Sequence, residues 1–290
     1  MCAPLMTGLH EGVAPAVYHA DPTPEPSLSS GVARTIISQT PAHAYLEHVR
    51  LGGHKIEPTS DMIFGAYGHA LLSDETDEFS VGNFDNYTTK AAKEWRDEVK
   101  LAGKTPILEK TVDRAERVAR ALREKIAPDL TRNPFTFGKP EVTAIWQEDA
   151  FWFRARYDRL DLDETGFADI WDWKFSNVGV SNDALIRTII DKGYHVQGAH
   201  YLRGLRAIAP RCQGRCTFTL GFVETEEPFA VRRVVMSEGF LQIGSTLLNR
   251  AIERWKHCLS TNVWPDDSEG TRTLEPPPYY SMRVMEDAAA

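Results

Sequence analysis

The sequence is short of cysteine, of positive charge and of long apolar runs. Its four cysteines, Cys2, Cys212, Cys216 and Cys258, are too few and too scattered for a disulfide framework. Cys212 and Cys216 stand four apart and could touch, but no second close pair of Cys or His accompanies them to complete a tetrahedral metal site. Reduced thiols in a cytoplasmic protein are the expectation. No run of about 18 apolar residues occurs, so no transmembrane helix is expected. The first twenty residues lack a basic segment followed by an apolar one, so no secretory signal is expected. Lys and Arg total 33 against 41 Asp and Glu, a net charge of −8. That balance argues against a protein that coats nucleic acid through bulk positive charge. It leaves room for a nuclease, because cation-binding carboxylates add negative charge that the bound cations offset. No internal repeat is present.

What is there is core material. Of 290 residues, 42% are hydrophobic, with seven Trp and thirteen Phe, enough for one large domain. Residues 1–28, with Pro22, Pro24 and Pro26, read as an extended, flexible arm. Helices are expected near 30–39, where Ser29 or Ser30 can cap, and 42–49, which Pro41 opens. Others are expected over 61–74, capped by Ser60, and over 87–101. The segment 109–127 is the clearest amphipathic helix, with Val112, Ala115, Val118, Ala119, Leu122 and Ile126 at helical spacing. From Glu141 the pattern changes to strands: 141–146, 151–162 and 167–175, joined by turns at 147–150 and 163–166. Helices near 182–190 and 193–208, strands at 216–224 and 229–236, and a helix over 237–257 complete the order. The expected domain runs over 29–262, a helical portion 29–133 followed by a sheet core 140–262, with an irregular tail 263–290. The fold class is α/β, a mixed central sheet flanked by helices.

Chemistry concentrates in Asp172-Trp173-Lys174. Strand side chains alternate, so Asp172 and Lys174 share one face with Ile170, and Trp171 and Trp173 share the other. The preceding strand brings Asp158 alongside, with Arg154 and Arg156 on its face. Two carboxylates so close repel each other, and a divalent cation relieves that repulsion; hard oxygen ligands suit Mg²⁺, with Mn²⁺ as a substitute. Lys174 can orient an attacking water or stabilise charge on a phosphate. The bland alternative is a salt-bridge ladder, Asp158 with Arg154 or Arg156 and Asp172 with Lys174. Two aromatic-faced strands argue for a central position, where buried charge needs a reason. Glu141, at the start of the preceding strand, is a third carboxylate. His69, four residues after Gly65 on an apolar helix, and Gln197 and Tyr201, also four apart, are each unremarkable alone.

Together and in order, Gly65-x-x-x-His69, Glu141, Asp158, Asp172-Trp173-Lys174 and Gln197-x-x-x-Tyr201 resemble the PD-(D/E)xK nuclease superfamily. The resemblance is to its RecB-like exonuclease branch and, within it, to phage-type exonuclease VIII (RecE) nuclease domains. It spans about residues 28–260, including Ser29–Pro41, Phe153-Arg-Ala-Arg-Tyr-Asp158 and Tyr194-His-Val-Gln197. It implies a restriction-endonuclease-like core in which Asp158 and Asp172 ligate Mg²⁺, His69 is a further ligand or a helper at the same site and Glu141 an outer member of the cluster. Lys174 becomes the catalytic lysine, and Gln197 and Tyr201 contact DNA or position it. Arg154, Arg156 and Arg187 are candidates for phosphate contacts. The implied activity is 5′ to 3′ degradation of linear double-stranded DNA from its ends, in the cytoplasm, for phage-type recombination. The implied partners are a single-strand annealing protein and further copies of the chain in a tetramer or ring. Phe175 departs from the pattern, because relatives often carry Thr there. The cysteines do not match those of iron–sulfur relatives, so no iron–sulfur cluster is expected. Two other readings stay open: a related single-strand or repair nuclease, and an inactive DNA-binding or assembly module on the same core.

Overall fold

The structure, a computed structural model, describes residues 3–54, 57–268, 270–271 and 273–289. Cys2 lies outside them. In chain order the elements begin with strand β1 (Gly8–His10), helix α1 (Pro15–His19), β2 (Ser27–Leu28), α2 (Ser30–Ser38), α3 (Pro41–Glu47) and α4 (Ser60–Ser73). There follow β3 (Phe79–Gly82), α5 (Lys90–Leu101), β4 (Thr105–Leu108), α6 (Glu109–Lys125) and α7 (Pro134–Phe137). The core comprises β5 (Lys139–Glu148), β6 (Phe151–Leu162), β7 (Ala168–Ser176), α8 (Asn182–Asp191), α9 (Tyr194–Ile208), β8 (Cys216–Glu224) and β9 (Val231–Val235). Helices α10 (Glu238–Thr261) and α11 (Pro278–Ala289) close the chain.

Among the described residues seven strands form the main sheet, in the order β1-β5-β6-β7-β8-β9, with β2 pairing on β6. The meander β5-β6-β7 is antiparallel, β7 and β8 are parallel, and β8 and β9 are antiparallel. The parallel step is possible because α8 and α9 carry the chain back across the sheet. β3 and β4 make a separate two-stranded pair. This is the expected mixed sheet flanked by helices.

Each face of the sheet has its own core. One is built by Ile170, Phe218, Leu220 and Phe222 with residues of α2, α9 and α10. The other is built by Trp171, Trp173 and Val223 with residues of α4 and α6. β7 therefore feeds both cores alternately, which makes it a central strand and explains why its polar residues Asp172 and Lys174 must be matched by partners. α9 sits close to the sheet because Gly198 has no side chain: a Cβ there would meet the Phe218 ring at 2.5 Å.

The segment expected as a flexible arm is built into the fold. β1 pairs with β5, β2 pairs in parallel with the start of β6, and Leu5 N–H donates to Pro22 C=O at 2.7 Å. Its anchor is the buried Asp21 carboxylate, which accepts from Ser27 N–H, Ser27 Oγ and Thr23 Oγ1 and pairs with Arg154. The tail expected to be irregular contains α11. The α4 cap is Thr59, not Ser60: its side chain accepts from Met62 N–H. No helix of the described residues is long and apolar enough to cross a membrane.

Gly198→Ala should destabilise the fold by about 1–3 kcal/mol through overpacking against Phe218. Urea denaturation measures this as a lower midpoint at unchanged m-value. An unchanged midpoint would show that α9 can lift off without loss.

Candidate active site

The site lies where two neighbouring strands part. The β6–β7 ladder runs from Leu162·Ala168 to Arg159·Trp171 and stops one residue short of Asp158 and Asp172. Farther back, the same edge of β6 is taken up by β2, at Trp152 and Phe153. Between those pairings a stretch of β6 faces a gap. The Asp158 carboxylate takes over from the ladder, accepting a hydrogen bond from Trp173 N–H at 2.6 Å. The core-facing residues of β6 run Phe153, Ala155, Tyr157 and then Leu160, so strict alternation breaks once, beside Asp158.

Across the other edge of β6, the register sets Glu141 opposite Asp158, between the pairs Pro140·Arg159 and Val142·Tyr157. Glu141 holds φ at 51°, a left-handed conformation inside a strand. Such strain in a non-glycine residue persists only where surrounding structure enforces it, and it concentrates at functional sites. His69 comes from α4, and its Nδ1 lies 3.2 Å from Asp158 Oδ2. α4 can approach this closely because Gly68 leaves room for Phe175, whose ring a Cβ there would strike at 2.4 Å. The Phe175 ring also meets the His69 imidazole edge-on at 5.3 Å. The residue that departs from the resembled pattern thus packs α4 and its histidine onto β7.

Asp172 is buried and braced from α9. Gln197 Nε2 donates to Asp172 Oδ1 at 2.6 Å and to Tyr201 Oη at 2.9 Å. Gln197 Oε1 accepts from Lys174 Nζ at 3.2 Å. Lys174 pairs with the other Asp172 oxygen and lies 4.3 Å from the centre of the Tyr194 ring. The i,i+4 spacing of Gln197 and Tyr201 therefore builds a brace behind Asp172 and Lys174. Both residues are buried and both line the cleft.

The charges are strongly interdependent. Burial and the neighbouring Asp158 push the Glu141 carboxyl up to about 7. Burial opposes a charged His69, but Asp158, Glu141 and Asp172 outweigh it and raise the imidazole. Burial also opposes the Asp158 carboxylate, yet His69, Lys174 and the Trp173 N–H hold it below its ordinary range. For Lys174 the attraction of Asp172, Tyr194 and Asp158 overcomes burial, and the ammonium is held charged.

His69, Glu141 and Asp158 offer one imidazole nitrogen and two carboxylate oxygens, all within 4.8 Å of one another. A compact set of one nitrogen and two anionic oxygens fits a divalent cation such as Mn²⁺ or Mg²⁺. Asp172 is not in this trio, because Gln197 and Lys174 engage it. Glu141, expected as an outer member of the cluster, is one of the three candidate donors. All these residues line a cleft of about 350 Å³.

Two residues expected to contact DNA have partners within the chain. Arg154 is buried, donating to Ser27 C=O and Oγ and pairing with Asp21 at 2.8 Å, so it anchors the N-terminal segment. Arg156 is half-buried and pairs with Glu141 while donating to Val13 C=O at 2.6 Å. The salt-bridge ladder also fails in part: Asp172 does pair with Lys174, but Asp158 pairs with neither arginine. Arg187 is exposed on α8. Sequence reasoning missed Tyr18 and His19 of α1, which line the cleft, as do Glu75 and Glu78. The available signal was Asp21-Pro22, a turn-initiating pair that could have marked an ordered segment.

Comparison with known proteins agrees with this fold. The family model described as "PDDEXK-like domain of unknown function (DUF3799)" matches residues 34–276. The fold is similar to the crystal structure of a "putative exonuclease" from Eubacterium rectale, with a TM-score of 0.58 and 13% identity over 87% of this chain and 90% of that one. The structure of SSO0001 aligns at a TM-score of 0.31 and 12% identity over 83% of this chain and 86% of that one, too low to support any argument. No curated protein matches the sequence.

Cation binding needs Glu141 ionised and His69 neutral, and both are held protonated to higher pH than usual. Raising the pH from about 6 to about 8 should therefore tighten Mn²⁺ binding by about tenfold or more, with proton release. Calorimetric titration at the two pH values checks this, and Asp158→Asn should abolish the binding. A pH-independent affinity would place the cation elsewhere.

Proposed function

We propose that this chain, which belongs to the family of PDDEXK-like domains, is a divalent-metal-dependent nuclease that degrades linear double-stranded DNA from its ends. One observation carries the reading. The three donors His69, Glu141 and Asp158 and the braced pair Asp172–Lys174 line one cleft, at the parting of β6 and β7.

The reaction is hydrolysis: a water oxygen bonds to phosphorus and the P–O ester bond to one sugar breaks. His69, Glu141 and Asp158 would hold the divalent ion. When bound, it supplies Lewis acidity toward the phosphate and lowers the pKa of water. The chain's own residues do the rest. Asp172 keeps the Lys174 ammonium charged, and Gln197 fixes its direction, so that a preorganised positive group meets the charge that builds on the phosphate. Tyr201 holds Gln197, and the Tyr157 hydroxyl donates to Tyr201 C=O at 3.1 Å, tying the brace to β6.

The finer reading follows the resemblance of the motifs to RecE-type domains: Mg²⁺ as the working ion, 5′ to 3′ polarity, and a cytoplasmic role in phage-type recombination. It includes double-stranded DNA ends as substrate, a single-strand annealing protein as partner, and a tetramer or ring of chains. The placement of His69, Asp158, Lys174 and Gln197 around one cleft supports it.

A linear duplex labelled at the 5′ or 3′ end, incubated with Mg²⁺ or EDTA, tests the proposal. Wild type should release 5′-terminal nucleotides only with Mg²⁺. Lys174→Met should lower kcat by about 10²–10³-fold, and Asp172→Ala should remove cleavage while DNA binding largely persists. Absence of cleavage with both Mg²⁺ and Mn²⁺ would move the chain to a binding or assembly role. Preference for single strands would make it the related single-strand nuclease.

A further inference from the structure

The cleft has a second wall that the hydrolytic groups do not explain. Pro15, Tyr18 and His19 of α1 line it together with Phe79 and with Ala66 and Ala70 of α4. These residues are apolar or aromatic, and they adjoin the charged cluster within the same cavity.

This wall is rigid. Arg156 holds the Val13 carbonyl, Arg154 holds Asp21, and Arg50 donates to Thr23 C=O at 2.6 Å. The Arg154 and Arg156 guanidinium carbons lie 5.6 and 5.9 Å from the centre of the Tyr18 ring. α1 is thus fixed from both its flanks, although it is only five residues long.

The wall also lacks the charge to hold a phosphate. Arg154 is matched by Asp21 and Arg156 by Glu141. The exposed Glu75 and Glu78 line the same cleft and repel anions. Burial and the two arginines hold the His19 imidazole below its ordinary pKa, and its ring adds an aromatic face to the wall. A nucleotide in this cavity therefore divides. Its phosphate belongs beside Lys174 and the three donors, and its base belongs against α1. A cavity of this size holds a small ligand rather than a duplex.

We infer that α1, through Tyr18 with His19 beside it, is a stacking wall for the base of the terminal nucleotide as it is released. The inference rests on the nuclease reading and goes beyond it, assigning a specificity role to a segment outside the metal and lysine groups. Stacking on an aromatic side chain tolerates any base, because every base has a π-face. Such a wall accepts ends of any sequence and still distinguishes an intact terminal nucleotide from one without a base.

The test is steady-state hydrolysis of two labelled linear duplexes, identical except that one carries an abasic site at the terminus attacked first. Wild type should lose about tenfold in kcat/KM on the abasic terminus, mainly through KM. Tyr18→Ala should lose about the same on the intact terminus and no longer distinguish the two. Tyr18→Phe, which keeps the ring, should behave as wild type. Equal wild-type rates on both termini would overturn the wall and leave the nuclease reading standing. A Tyr18→Ala loss that falls equally on both substrates would also overturn it, making Tyr18 a structural residue. No hydrolysis of either duplex by wild type would end both readings.

Discussion

Everything around the cleft answers to the mutual repulsion of three carboxylates. Glu141, Asp158 and Asp172 converge from three adjacent strands. Two unit charges about 4 Å apart interact by roughly 4 kcal/mol at an effective dielectric of about 20. The fold meets this with one cation for each: Arg156 on Glu141, His69 on Asp158 and Lys174 on Asp172. The three partners come from different places, which makes them chemically unequal. Arg156 is permanently charged and fixed. Lys174 is held charged by its own strand neighbour. His69 alone of the three has a neutral form able to act as a metal ligand, although its carboxylate neighbours favour the charged one. Replacement of the His69 proton by a divalent cation is the exchange that the proposed function would require.

The scaffold keeps these groups in place by denying them alternatives. β7 is packed on both faces, so Asp172 cannot turn to solvent without pulling Trp171 or Trp173 from its core. The end of the β6–β7 ladder leaves Trp173 N–H without a strand partner, and Asp158 supplies one. The N-terminal segment then pairs on β6 just beyond the gap, so the gap stays open between two fixed pairings rather than fraying. An open stretch of strand edge in the interior of a sheet is normally a liability. Here it makes the space in which the side chains meet.

The sequence displayed the parts that depend on local pattern. The meander, the central place of the Trp171–Trp173 face and the pairing of Gln197 with Tyr201 all follow from periods of two and of about 3.6, which survive folding unchanged. The resemblance joined His69 and Asp158 across 89 positions that no local pattern links. What stayed hidden depends on distant partners or on backbone strain. Arg154 reads as an outward basic residue on an alternating strand; only the buried Asp21, far away in sequence, turns it into an anchor. Glu141 reads as a solvated strand start, and its φ of 51° has no sequence signature in a residue with a Cβ. Residues 1–28 read as an arm because proline and small residues are common to disordered and ordered irregular segments. The difference is made by the Asp21 carboxylate, whose contacts with Thr23, Ser27 and Arg154 satisfy a bend that composition alone would leave open.

A net charge of −8 is reconciled with a polyanionic substrate by the same pairing. The arginine and lysine that line the cleft are each matched by a carboxylate, so neither is a spare phosphate anchor. Under the proposed function, attraction for DNA at the reacting centre would have to come from charge that enters with the divalent ion, whereas attraction along the duplex would have to come from exposed residues such as Arg187. This division separates binding from chemistry. Removing Asp172 or a donor of the trio alters the charge of a small buried centre and leaves the outer surface as it was. An acidic nuclease is therefore no contradiction: under the proposed function, overall charge would govern how the chain meets DNA at long range, and the paired centre what happens once a terminus is inside.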